Sequence, residues 1–290
     1  MEMRVAVAAP PLAYGTEENL SLMTNVAVRA LARAGLLLAL TSDIGYAQAA
    51  DTSGPLQAPQ RTAAAAAAMK VPFAVGEKLE YDVKFGSIKV GSGRMEVLDM
   101  AEVRGHPTWH TMFRITGGIP FFRVNDRMES WFDVMTLASR RFYQDIEEGN
   151  NKPKRHYELF PERGMYQENK EPEQPTVAQP LDDGSFLYFV RTIPLEVGKE
   201  YTFSRYFNPE SNPVKIKVVR RETIEVPAGK FNTVVLQPTI RTKGMFGEDG
   251  RAEIWISDDD AHVMVQMKSH LSFGSLNLYL RKHNSKAGMQ

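Results

Sequence analysis

The chain has 290 residues, enough for one large domain or two small ones, and its 43% hydrophobic content suffices for a sizeable core. Lys plus Arg and Asp plus Glu balance at 35 each, so the formal net charge is zero, which argues against nucleic acid as a partner. The absence of cysteine excludes disulfides, thiolate catalysis, Cys-ligated zinc or iron–sulfur centres, and a lipidated cysteine anchor.

The first predicted element is a secretory signal. After Met23, Arg29 and Arg33 lead into the uncharged run 34–40, and Ala47-Gln48-Ala49 follows with small residues suited to cleavage near Ala49. The apolar run is far short of the ~20 residues that span a bilayer, so no transmembrane segment is expected in the mature chain. Glu2, Glu17 and Glu18 do not suit the leading region of a signal, which points to Met23 as the true start. Asp43 departs from the pattern, and an ordinary amphipathic helix is the competing reading. Residues 1–49 are thus read as leader plus signal, 50–72 as a low-complexity linker that includes the alanine run 63–68, 73–283 as a single β-rich domain, and 284–290 as a tail. The expected location is periplasmic or outer-membrane-associated.

From residue 73 the sequence is written in a period of two. Leu79, Tyr81, Val83 and Phe85 alternate with Glu80, Asp82 and Lys84, as a half-buried strand does. Ile88 and Val90 continue on even numbers, but Met95 and Val97 fall on odd ones, so a bulge or bend is expected at Gly91-Ser92-Gly93. Further strands are read at Trp109 to Ile115, Tyr201 to Phe207, Val214 to Val218, Val234-Leu236, Ile254-Ile256, Val263 to Met267 and Leu276 to Leu280. Turns are expected at 148–151, 227–229 and 257–260. One segment has a different period: Phe186, Phe189, Val190 and Ile193 are spaced as the apolar stripe of a helix, with Asp182 as N-cap, Asp183 favouring its dipole and Pro194 ending it. The predicted fold is mainly all-β: a large, curved antiparallel sheet forming a half-barrel or barrel, with one amphipathic helix packed on it or in it.

Candidate chemistry is sparse. His106 and His110 are four apart on a strand, where they share a face without converging on a metal. Asp258, Asp259 and Asp260 lack the spacing of a calcium loop and suit a solvated turn. Ser185 lacks the glycine frame of a nucleophile elbow and reads as a first-turn helix residue; Gly91-Ser92-Gly93 lacks the strand-to-helix setting of a phosphate loop. Asp126, Glu129 and His156 could form an acid–base site only if the fold gathered them. No catalytic residue, metal or cofactor is therefore assigned. More informative are two apolar loops, Gly117 to Phe122 and Lys243 to Gly247. They either cap the core or form the mouth of an apolar cavity.

Gly76-Glu77-Lys78-Leu79-Glu80-Tyr81-Asp82-Val83, the run 88–93, Val226-Pro227-Ala228-Gly229-Lys230-Phe231, the run 254–259 and Arg191-Thr192-Ile193-Pro194-Leu195 occur in an order that resembles the bacterial domain of unknown function 3108. The resemblance spans 73–283 and implies an exported, β-rich protein with no assigned activity. More loosely, the layout is similar to periplasmic lipoprotein-sorting carriers, whose curved sheet cups acyl chains under a helical lid. The expected function is a non-enzymatic envelope protein that binds a lipid or other apolar ligand through Ile119, Phe121, Phe122, Phe186, Phe189, Met245 and Phe246. The alternative is a structural module that binds other envelope proteins through a sheet edge or the aromatic loops.

Overall fold

The computed structural model describes residues 70–119, 122–240, 252–271 and 274–285. The signal, most of the linker, Phe121, Met245, Phe246 and nearly all of the tail lie outside the described residues. In chain order the elements are β1 (Lys78–Phe85), β2 (Ile88–Val103), β3 (His106–Ile119), β4 (Phe122–Asp133), β5 (Ser139–Asp145), β6 (Lys154–Phe160), β7 (Met165–Glu168) and β8 (Gln174–Pro175). Helix α1 (Asp183–Phe189) follows, then β9 (Glu200–Phe203), β10 (Val214–Val226), β11 (Gly229–Thr239), β12 (Glu253–Ser257), β13 (Met264–Leu271) and β14 (Gly274–His283).

Among the described residues the strands form one 14-stranded sheet in the order β8-β7-β6-β5-β4-β3-β2-β1-β14-β13-β12-β11-β10-β9, with every pairing antiparallel. Strands adjacent in the sheet are consecutive in sequence except β1 and β14, while β8 and β9, consecutive in sequence, stand at opposite edges. The first and last strands therefore make the middle of the sheet, and β8 and β9 are its edges. The sheet is open: no ladder joins those edges. They are linked instead through the chain beside them, where Leu181 and Tyr206 form an isolated parallel bridge. There the Leu181 amide donates to the Arg205 carbonyl (2.6 Å) and the Phe207 amide to the Leu181 carbonyl (3.0 Å).

An antiparallel meander puts alternate connections at opposite ends. The β1–β2, β3–β4, β5–β6, β11–β12 and β13–β14 connections share one end, called here the hairpin end. The β2–β3, β4–β5, β10–β11 and β12–β13 connections share the other, with the segment that precedes β1.

The inward face follows from the period of two. Leu79, Tyr81 and Val83 of β1 are buried, as are Val214, Ile216 and Val218 of β10 and Leu278 and Leu280 of β14. A smaller aromatic cluster of Phe142, Tyr157, Leu159 and Tyr166 fills the space under β5, β6 and β7. The parity change near Gly91 is a true register shift: Val83 pairs with Gly91 but Lys84 with Lys89, so the extra residue is Val90. The glycine serves the strand on its other side. A Cβ on Gly91 would stand 2.3 Å from the Thr116 carbonyl oxygen, and one on Gly117 would stand 2.2 Å from that of Val90. Two facing glycines let β2 and β3 approach that closely.

Two expectations need adjustment. The strand read over 201–207 ends at Phe203, because Arg205 and Phe207 turn away to pair with Leu181. The helix is shorter than its apolar stripe, with a 3-10 turn over Val190–Thr192, and every residue from Gly184 to Arg191 is buried. It lies within the curved sheet as core.

Candidate functional site

The helix is seated by a buried polar cap. Asp182 Oδ1 accepts the amides of Gly184 and Ser185 (both 2.8 Å) and the Ser130 hydroxyl of β4 (2.6 Å). Ser185 returns the bond by accepting the Asp182 amide (2.9 Å), which completes a capping box. Ser139 of β5 also accepts that amide (3.0 Å) and bonds the Ser185 hydroxyl (2.8 Å). Burial pushes the Asp182 carboxyl up to about 6 despite these donors. Asp183 is raised by the same cause, and it accepts from the Tyr206 hydroxyl (2.7 Å) and the Gln144 amide (3.2 Å). Ser185 is thus a helix-capping residue, as its sequence context suggests.

The far end of the helix is locked by Arg191. Its guanidinium donates to both oxygens of Glu77 (2.6 and 2.9 Å) and to the carbonyls of Pro72 (3.0 Å), Ala261 (3.0 Å) and His262 (2.8 Å). Arg191 is 0% and Glu77 1% exposed. The rings of Phe73 and Tyr188 lie 5.5 and 5.8 Å from the guanidinium carbon. Phe73 itself packs edge-on against Trp109 (5.4 Å) and Tyr188 (5.0 Å). Burial would lower the Arg191 pKa, but the Glu77 carboxylate more than offsets it and holds the cation. One side chain therefore ties the segment before β1, the turn after α1 and the β12–β13 turn together, at the end of the sheet opposite the hairpin end.

The residues considered for acid–base work are not gathered. Glu129 faces outward in β4, where it bonds His110 Nε2 (2.9 Å) and pairs with Arg127. His110 also meets Asp99 (3.2 Å) and stacks on Trp131 (4.3 Å between centroids). His106 lies beside Asp133 (3.8 Å), so the two histidines have separate partners. Register places Tyr143 between Glu129 and His156, two strands apart, and His156 bonds Glu158 (3.1 Å). Asp258 pairs with Arg221 (2.9 Å) and Asp259 caps its own turn, as a surface hairpin requires.

Asp126 belongs to another arrangement. It accepts the Glu147 amide (3.1 Å), and its carboxyl hydrogen-bonds the buried carboxyl of Glu148, which the β5–β6 connection brings over β4. Burial raises Asp126 to about 6; burial and the facing Asp126 charge raise Glu148 to about 8. The pair shares a proton at neutral pH. A carboxyl that holds its proton more tightly when folded makes the fold more stable as the pH falls through that folded pKa. Relative to ordinary values of 4.5 and 3.8, Glu148 acts from about pH 8 downward and Asp126 and Asp182 from about pH 6 downward. Glu80, Glu129, Asp133, Glu147, Glu162 and Glu222 are shifted the other way, so their contribution is lost only at more acid pH. The expected result is that Glu148→Gln, which mimics the protonated acid, stabilises the chain above about pH 8 and that this advantage vanishes by about pH 5. Melting temperatures of both chains across that range test it; an advantage that grows toward acid would refute the proton-sharing pair.

Of the proposed ligand-binding residues, Phe186 and Phe189 are core side chains, 1% and 7% exposed, and Phe189 packs edge-on against Phe203 (5.0 Å). Phe121, Met245 and Phe246 lie outside the described residues; Ile119 ends β3 and Phe122 begins β4. The connections that carry these five residues leave strands at the same, hairpin end of the sheet. Around that end the described chain has Ile88 at 69% exposure, with Val90, Ile115 and Met128 half-buried on the core's margin. No described helix is long and apolar enough to cross a membrane.

The sequence profile of the protein family of unknown function DUF3108 matches residues 80–281. No curated protein is significantly similar to the chain. Among solved structures, a beta-barrel-like protein of the domain of unknown function DUF1849 from Brucella abortus is 12% identical, with a TM-score of 0.49 over 74% of this chain and 99% of that one. A candidate lipoprotein from Parabacteroides distasonis is 10% identical, with a TM-score of 0.35 over 75% and 99%. A candidate exported protein with a YmcC-like fold from Bacteroides fragilis is 11% identical, with a TM-score of 0.28 over 75% and 100%. Likenesses this distant carry nothing about function.

Proposed function

We propose, for a chain that belongs to the protein family of unknown function DUF3108, an exported and non-enzymatic role in the cell envelope, binding an apolar ligand such as an acyl chain at the hairpin end of the open sheet. The observation that carries this reading is the convergence of two connections. The apolar segments around Phe121 and Phe246 are more than a hundred residues apart in sequence, yet the strand order brings their connections to one end. Connections with apolar sequence that leave the sheet at one end favour an apolar ligand there. The tripartite N-terminus supports export.

Two structural features shape how such a ligand would bind. The inner face of the sheet is already occupied by α1, Phe73 and Trp109, and α1 is fastened at both ends, by Asp182 and by Arg191. Binding is thus a rim event that leaves the core in place. The carboxyls of Asp126 and Glu148 lie at the same end, so a bound acid headgroup would meet a proton-rich pair rather than two full negative charges.

The test uses the full chain expressed with its own N-terminus and recovered from the periplasm, challenged with the fluorescent fatty acid cis-parinaric acid. Uptake by the wild-type chain is expected, and Phe121→Ser/Phe246→Ser should weaken it by about tenfold or more while leaving the melting temperature in place. Retention in the cytoplasm would refute export. No uptake, or equal uptake by the folded double variant, would refute the rim site and favour the protein-interaction alternative.

A further inference from the structure

We infer that the face of the sheet turned away from α1 carries a second binding site, for a neutral saccharide, in the depression floored by Trp255. Register sets Arg220, Val235, Trp255, Gln266 and Tyr279 in one row across β10, β11, β12, β13 and β14. Ile254, Ile256, Met267 and Leu278 alternate with these residues and fill the core, so the row faces the other way. Val235 is short, and Arg220 reaches over it to Glu253, donating to both carboxylate oxygens (2.7 and 3.2 Å). The tip of the β10–β11 hairpin bends round until the Ala228 amide donates to the Leu280 carbonyl (3.0 Å). Ile224 and Glu225 of that hairpin thereby join Tyr279 in lining a depression of about 580 Å³. That size falls in the ~300–1,000 Å³ range of small-molecule sites.

The groups there define the ligand's chemistry. Arg220 also donates to Glu222 (2.9 Å), and the Trp255 indole N–H donates to the same carboxylate oxygen (2.7 Å). The strongest charges are thus paired with one another. Gln266 is 4% exposed and lines the depression, and its side-chain amide makes no hydrogen bond to another described residue. That amide, which opens to the depression, offers two donors and an acceptor to a ligand. Lys268 contributes an ammonium 5.2 Å from the Trp255 ring centroid and 5.9 Å from that of Tyr279. A polyanion would meet Glu222, Glu225 and Glu253; a polycation would meet Arg220 and Lys268. Sugar hydroxyls, each donor and acceptor at once, match a lining of amide, ammonium, carboxylate and aromatic edge with no large net field.

The full chain titrated with maltotriose, mannotriose and chitotriose, followed by tryptophan fluorescence and calorimetry, tests this inference, with sucrose octasulfate as an anionic control. At least one neutral trisaccharide is expected to saturate the chain. Gln266→Leu should weaken that binding about tenfold, and Tyr279→Phe, which preserves the ring, should weaken it several-fold if the first variant does not fold. Saturation by none of the three, binding of the octasulfate alone, or affinity untouched in both variants would each overturn it. The rim site is independent of every one of these outcomes.

Discussion

Glu77→Gln is expected to destabilise the fold by about 3–5 kcal/mol, the scale seen when one partner of a buried ion pair is removed. The reason lies in what stays behind. Arg191 is 0% exposed and keeps its charge at any accessible pH, so the guanidinium cannot escape by losing a proton. Three backbone carbonyls still surround it, from Pro72, Ala261 and His262, but neutral acceptors do not replace a carboxylate in a medium that screens so little. The loss should appear in urea unfolding as a lower midpoint with an unchanged slope. Glu77→Leu combined with Arg191→Met is expected to recover much of it, because no buried charge then remains. A single variant within about 1 kcal/mol of the wild type would show that water reaches the pair.

Gly184→Ala is the second large effect, and two forces oppose each other there. Alanine in place of glycine favours a helix by up to about 1 kcal/mol. A Cβ at this position, however, would stand 2.3 Å from the Ser130 hydroxyl oxygen. That hydroxyl cannot simply rotate away, because it donates to Asp182 Oδ1, the acceptor that caps the helix. Overpacking together with a strained buried cap typically costs ~1–3 kcal/mol, and more than the propensity gain is expected. Ser130→Ala in the same chain should return part of the loss, giving a non-zero coupling in a double-mutant cycle. Equal or greater stability of Gly184→Ala alone would mean that α1 shifts freely on β4, and the fixed-core view of the interior would fall with it.

Much of the architecture was legible because the inward face is written in residues that leave a period. Leu79, Tyr81 and Val83, Val214, Ile216 and Val218, and Phe186 with Phe189 all announced their elements. β4 leaves a weaker period in the sequence for a physical reason. Two of its inward positions are polar, Asp126 for Glu148 and Ser130 for Asp182, so the alternation that marks a strand is interrupted where the fold needs a partner for something distant. The period alone makes β9 too long, since Tyr201, Phe203, Arg205 and Phe207 keep it while the chain leaves the ladder after Phe203. Pairings across the chain left no local trace. Glu77 and Arg191 lie in two of the segments that carry the family resemblance, and the third contact of that clamp, at Ala261 and His262, closes the turn next to another. Only the fold brings these segments together.

The β1–β14 pairing has a consequence for the order in which the molecule can assemble. Tyr81 faces Leu280, so the central ladder joins residues about two hundred positions apart, while the edges are built from the middle of the sequence. A chain that emerges progressively, from a ribosome or through a translocation channel, can form the hairpins of β2 through β7 early. It cannot close the centre of its sheet until β14 has appeared. Until then β1 presents one unpaired side, and the two wings have no common spine. Most ladders in this sheet are local hairpins, but the β1–β14 ladder carries a large loop-closure cost and is therefore expected to form late. An emerging chain of this kind stays incompletely folded, and exposed to chaperones and proteases, until its final strand is delivered.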